Sequence, residues 1–171
     1  MGDAAERVLA EPLDPGVWRA YGWIPVEDTD PADGHHRLTF SWGDPHLNVI
    51  MHGPEEIEHR DGALHCDCMY RHDSHTQALL VLNVDAVVAV APPGTEFSGP
   101  ADTAKIRAFL LHPGQSFVLH PGTWHWGPFP LDAEPVRLFN LQGLGYREDN
   151  AMVDLEAVGA AVDVVLDAHG T

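Results

Sequence analysis

From Gly22 to about Leu144 the chain is cut into short pieces by Gly, Pro, Asn and Asp, and the pieces are filled with Val, Ile, Leu, Thr and Phe. That punctuation leaves no room for long helices, and short β-branched pieces between turn residues predict many short strands. The expected strands are 37–42, 47–52, 63–72, 78–81, 86–91, 106–111, 115–119 and 136–141. The turn at 83–85 and the loop at 92–104 suit hairpin and crossover connections. Asp14-Pro15 reads as a helix start, with a capping side chain followed by proline at the first helical position. That helix should end near residues 21–22. Leu155, Val158, Ala161, Val162, Val165 and Leu166 recur at helical spacing and predict an amphipathic helix over about 155–168, packed on the body or against a second subunit. No repeat or linker divides the 171 residues, so one mainly β domain is expected over 1–171, with its core at about 37–145.

Charge removes several function classes. Nine basic against 26 acidic side chains give a formal charge of −17, and Lys105 is the only lysine. Such a surface repels phosphate backbones and anionic headgroups, so neither nucleic acid nor a membrane is an expected partner. The first twenty residues lack a basic leader followed by an apolar run, and the apolar stretches at 78–82 and 86–93 are too short to span a bilayer. Cys66 and Cys68 are one residue apart, a spacing that would strain a bridge, so they read as reduced thiols of a cytoplasmic protein.

Residues 114–125 read G-Q-S-F-V-L-H-P-G-T-W-H. Pro121 sets the entry to a turn and Gly122 supplies the backbone freedom it needs, so His125 begins the next strand facing the mouth of a small barrel. This stretch resembles the second motif of cupin barrels, with His120 standing where the motif has its first proline. Tyr70 and His72 alternate on one strand face, and Gln77 follows at the spacing of the first cupin motif's carboxylate. The resemblance implies a cupin-like double-stranded β-helix barrel (a jelly roll) with short terminal helices.

A longer run of matches narrows the resemblance. Leu13–Ile24 (L-D-P-G-V-W-R-A-Y-G-W-I), Arg71-His72 with Thr76-Gln77-Ala78, the strand end V-A-V-A-P at 88–92, I-R-A-F at 106–109 and H-P-G-T-W-H at 120–125 keep the order of corresponding segments in the ureidoglycolate lyase family. The chain resembles that family over most of its length. It departs at Tyr70, where the family has glutamate, at Asp73 for a proline, at Pro121 for an arginine and at Trp126 for a histidine. An Asp-Arg pair is also missing at 140–142. Loss of two arginines removes the usual bidentate clamp for a carboxylate. The aromatic side chains Trp124, Trp126 and Phe129 point instead to a larger, more apolar pocket.

The family's reaction splits a C–N bond at a carbon bearing a hydroxyl. It needs a base, oxyanion stabilisation and an acid for the departing nitrogen. By resemblance, His120 is the expected acid–base residue and Tyr70 its hydrogen-bonding partner. Arg71, Trp124 and Trp126 would contact a small-molecule substrate. His72, His75, Gln77 and His125 would hold a divalent metal (Ni, Mn, Fe or Zn) weakly, because an amide oxygen is a neutral ligand. No organic cofactor is expected, and a homodimer is.

Blander readings cover the remaining candidates. His65 and Asp67 would face away from Cys66 and Cys68 on a strand, so these four do not read as one metal site, and the cysteines read as small core residues. His35, His36, His46, His52 and His59 lie in polar, turn-rich segments and carry no assigned role. Two rival functions remain at this level. A metal-dependent cupin oxygenase or isomerase is disfavoured by Tyr70 and Gln77. A small-molecule-binding cupin without turnover would show stabilisation by ligand alone.

Overall fold

A computed structural model of the protein describes residues 5–27, 36–40, 43–145 and 147–167. Fourteen strands form two curled sheets. The smaller sheet runs in the order β2 (Gly22–Trp23), β10 (Ser116–Leu119), β7 (Gln77–Val81), β12 (Val136–Gly143) and β3 (Pro45–His52). The larger runs β13 (Ala151–Asp154), β6 (Cys68–Arg71), β11 (Trp124–Pro130), β8 (Ala86–Ala91), β9 (Arg107–Leu111), β1 (Glu6–Pro12), β14 (Val162–Val165), β5 (Ala63–Cys66) and β4 (Glu58–Arg60). The architecture is the mainly β, cupin-like barrel that the motifs imply.

Strand β8 explains how the two sheets share their cores. All six of its residues are buried, and alternation divides them. Ala86, Val88 and Val90 face the barrel interior with Phe109, Phe117 and Leu138. Val87, Ala89 and Ala91 face a second core, where the larger sheet curls over Met69, Trp124, Trp126, Val162 and Val164. A strand buried on both faces cannot alternate with polar residues, which is why A-V-V-A-V-A reads as a continuous apolar run. Fully burying a valine contributes on the order of 1.5–3 kcal/mol.

The helix α1 (Pro15–Trp18) starts as predicted. Asp14 accepts from the backbone N–H groups of Gly16 at 2.8 Å and Val17 at 2.9 Å. Trp18 is fully buried against Phe109 and Phe117 and donates through Nε1 to the Val118 carbonyl at 3.1 Å.

Several elements depart from expectation. The predicted helix at 155–168 is a four-residue α2 (Leu155–Val158), capped by Asp154 and ended by Gly159 at φ 73. The β-branched residues Val162, Val164 and Val165 then form β14, parallel to β1 and antiparallel to β5. Their apolar spacing fits a helix, but the left-handed glycine stops it and the open edge of β1 takes the valines as a strand. This apolar stripe packs within the chain, and residue 168 lies outside the described residues. β1 itself, seven residues from Glu6, carries no turn signals and was not expected. The expected strand at 63–72 breaks at Asp67 into β5 and β6, which pair with different neighbours. At 37–42 the structure has one isolated bridge, Phe40 to His75, and residues 41–42 lie outside the described residues.

Cys66 is buried in the second core and Cys68 is half-buried, both as free thiols. Asp67 sits at the corner between their strands. No helix of the described residues is long and apolar enough to cross a membrane.

Candidate active site

The barrel interior changes chemistry along its strands. On β12 the inward residues run Val136, Leu138, Asn140, Gln142, and on β7 they run Val81, Leu79, Gln77. One end is therefore filled with hydrocarbon while the other collects amides. The same end receives His125 from β11, opposite Val90 of β8 and Tyr70 of β6, and His72 just past β6. The Pro121-Gly122 turn joins these strand ends, with the Gly122 N–H donating to the His72 carbonyl at 2.7 Å. Gly122 has φ 83, which a side chain would strain, so the residue type follows from the turn.

Each polar group here has a defined orientation. Gln77 Nε2 donates to Asn140 Oδ1 at 2.9 Å, and Asn140 Nδ2 donates to Asn48 Oδ1 at 2.8 Å. That relay leaves Gln77 Oε1 buried without a partner. His72 Nδ1 donates to the Asp149 carbonyl at 2.9 Å, because a carbonyl only accepts, and Nε2 of the neutral ring is left bare. His125 is placed the same way by the Thr123 carbonyl, at a longer 3.4 Å. Burial pushes all three of His72, His75 and His125 below the usual imidazole range, His125 to about 3, so they are neutral near pH 7. Burial, with the Cys68 thiol beside it, pushes the Tyr70 phenol up, so it stays protonated. The Cys68 thiol is itself driven to about 12 by burial and Asp67, which leaves no thiolate nucleophile at this mouth.

An open cavity of about 520 Å³ stands over this end. Tyr70, His72, Gln77 and His125 line it, with Trp126 and Phe129 as an aromatic wall and Glu56 and Asp67 as its carboxylates. Trp126 and Phe129 border it where the register of β11 shifts, while their rings pack on each other and with the second core. Among the described residues its lining contains no arginine or lysine.

Other predicted site residues fall elsewhere. Arg71 and Trp124 sit one position off from Tyr70 and His125 on their strands, so alternation turns them to the opposite face. There the Arg71 guanidinium lies 4.6 Å from the Trp124 ring centroid and pairs with Asp73 at 3.0 Å, while Trp124 Nε1 donates to the Thr95 carbonyl. Trp124 packs in the second core with Arg71 on the same face, and neither lines the open cavity. His120 lies in the turn after β10, its ring 5.6 Å from that of Trp23. It is exposed, bordering a small void beside His72, His75 and His125 and a second open cavity of about 370 Å³ with Arg19 and Trp23, but not the cavity over the barrel end.

His75 is 1 % exposed and neither ring nitrogen has a hydrogen-bond partner. Its Nδ1 is 3.3 Å from Asp149 Oδ2, close enough to pair but misaligned for a hydrogen bond. His72, His75 and Asp149 each offer a ligand atom within 4.8 Å of the others, and among the described residues they form the one such group of His, Cys, Asp or Glu. His72 therefore joins His75 as expected, whereas His125 stands apart, its ring 5.5 Å from that of His72. The residue missed from sequence is Asp149. It lies in a polar turn after the last barrel strand, 77 positions from His72, where no local pattern marks it.

A curled β-barrel whose mouth holds neutral imidazoles, a phenol and an orphaned amide oxygen is that of a cupin-like protein. The model of the ureidoglycolate lyase family matches residues 30–162, and the chain belongs to that family. No curated protein matches it. Membership supports an enzyme of the lyase type.

Proposed function

We propose that the protein cleaves a C–N bond at a hydroxyl-bearing carbon of a small polar substrate held in the open cavity. The observation that carries this reading is the pairing of Tyr70 with His125 across adjacent strands, one a protonated phenol and the other a neutral imidazole with a bare Nε2. His125 accepts the hydroxyl proton as the C–N bond breaks and the carbonyl forms. Tyr70 donates its proton to the departing nitrogen. The proton on His125 then returns to the Tyr70 oxygen, so the net transfer is from oxygen to nitrogen. An imidazole whose pKa is depressed to about 3 passes that proton on readily. In this reading His120 takes no acid–base part, because it does not border that cavity.

The substrate carries no carboxylate. Arg71 is turned away, and the cavity's ionised groups are the carboxylates Glu56 and Asp67, which favour a neutral or cationic ligand. A divalent ion fits the orphaned His75 nitrogens beside His72 and Asp149, and when bound would polarise a substrate oxygen. We place the protein in a soluble compartment as a small-molecule enzyme.

The test is release of urea or an amine from a panel of hydroxylated ureides and amides, neutral against carboxylate-bearing. Neutral members should turn over, and Tyr70→Phe and His125→Ala should each lower kcat by about 10²–10⁴-fold while His120→Ala keeps most activity. Binding without turnover across the panel would make the chain a small-molecule-binding cupin. Faster turnover of the carboxylates would overturn the charge argument.

A further inference from the structure

We infer that His72, His75 and Asp149 form a two-imidazole, one-carboxylate site for a divalent transition cation at the rim of the barrel, keeping only His72 of the positions that the cupin motifs mark. The inference rests on the cavity reading only in sharing His72, and it concerns where the ion is held.

Three observations converge on it. The first is a missing charge. Gln77 occupies the motif's carboxylate position, so the inward strands offer an ion only neutral ligands, and a divalent ion bound by neutral groups alone is poorly compensated. Asp149 supplies an anion from outside the barrel, on the chain between β12 and β13.

The second is a cost that an ion would remove. His75 is buried to 1 % exposure with neither ring nitrogen hydrogen-bonded and only the 3.3 Å approach of the Asp149 carboxylate beside it, an arrangement that is expensive to leave unmade. A protein can bury an imidazole cheaply by giving it one hydrogen bond. Phe40 and Thr39 instead fix its loop through the bridge at His75 and the Thr76 N–H to Thr39 carbonyl bond of 2.9 Å, holding the bare ring in place. Gly143 backs onto it, since a side chain there would come within 3.2 Å of the ring.

The third is the support around the carboxylate. Asp149 accepts from the N–H groups of Asp73 at 3.0 Å and Ser74 at 2.8 Å, and from the Ser74 hydroxyl. Its own backbone carbonyl orients His72. One residue therefore orients the His72 imidazole through its carbonyl and brings its carboxylate to His75 as the third ligand, as hydrogen-bond partners orient metal-binding histidines. Two imidazoles and a carboxylate suit Zn, Co, Ni, Fe(II) or Mn, and leave coordination positions open.

Metal binding by the full chain tests the site without reference to turnover. Chelator-stripped protein is incubated with Co2+ or Zn2+, passed through gel filtration and analysed for bound metal, with circular dichroism confirming the fold of each variant. The wild type should retain one ion per chain and melt at a higher temperature with it. His75→Ala and Asp149→Asn should each weaken binding by at least the roughly 10–100-fold typical of disturbing a metal site, whereas His125→Ala and Gln77→Ala should bind as the wild type does. The two ligand variants decide independently should one fail to fold. An apo wild type that takes up no ion, retention of the ion by folded His75→Ala or Asp149→Asn, or its loss from folded His125→Ala or Gln77→Ala each overturns the assignment. Because His125→Ala should lose turnover yet keep metal, failure of the lyase reading and failure of the metal reading give different results.

Discussion

Four histidines whose imidazoles are disfavoured in the charged form give the protein an acid limit that its carboxylates alone would not. His72, His75, His120 and His125 are all held below the usual imidazole value, chiefly by burial. Between the unfolded value of about 6.5 and the lower folded values, the unfolded chain binds protons that the native state refuses. Stability therefore rises with pH across that window and falls as pH drops below about 6.5. For His125 the window reaches down to about 3. Asp149 and Glu56, whose folded values are lowered, add a second loss only at more acid pH, as their carboxylates become protonated in the native state. Urea unfolding from pH 8 to 4 should show a decline beginning near pH 6.5, worth on the order of a few kcal/mol from His125 alone. His125→Asn should flatten it, and a decline confined to below about pH 4.5 would show that these rings are not buried neutral. His125 was legible in the sequence because a Pro-Gly turn points to the residue beyond it. Asp149 was not, because its partners are loop N–H groups and rings that only the folded chain brings to it.

Strand pairing, not local propensity, decides the shorter elements. Two residues suffice for β2 because Gly22 lets its backbone press against β10. A side chain there would put its Cβ 1.7 Å from the Val118 carbonyl oxygen. Gly22→Ala should thus separate β2 from β10 and loosen the turn that holds His120, whose N–H donates to the Tyr21 carbonyl at 2.8 Å. A loss of about 3 kcal/mol or more, the scale of a disrupted packed backbone, is expected in denaturant unfolding, against about 1 kcal/mol or less for Gly62→Ala, a turn glycine with open space around it but φ 78. Equal effects would mean that the close approach is absent. At the chain's end the competition between helix and strand was beyond local pattern. The stripe from Leu155 to Leu166 fits both, and the free edge of β1, itself unannounced by any turn signal, settles it.

Charge sets the behaviour of the molecule in bulk. At −17 the native state repels itself, while a large part of that repulsion relaxes on unfolding. Raising NaCl from 10 to 300 mM should raise Tm, by about 2–4 °C for each kcal/mol of repulsion screened in a domain of this size. A flat or falling Tm would mean that ion pairs such as Arg60 with Glu58 and Glu156 outweigh it.

The chain's class, its barrel and the residues at its mouth could be read in one dimension, since turn residues, two-residue alternation and motif spacing are local and survive without knowledge of neighbours. Tyr70, His72, Gln77 and His125 all line the cavity for that reason. Folding in three dimensions settled what depends on facing and on distance. Alternation sent Arg71 and Trp124 to the face of the second core, the turn after β10 set His120 beside Trp23 and off the open cavity, and a segment beyond the barrel brought Asp149 to His72 and His75. Spacing along a strand says which side chains share a face. It does not say which face looks into the cavity, or which distant carboxylate closes over it.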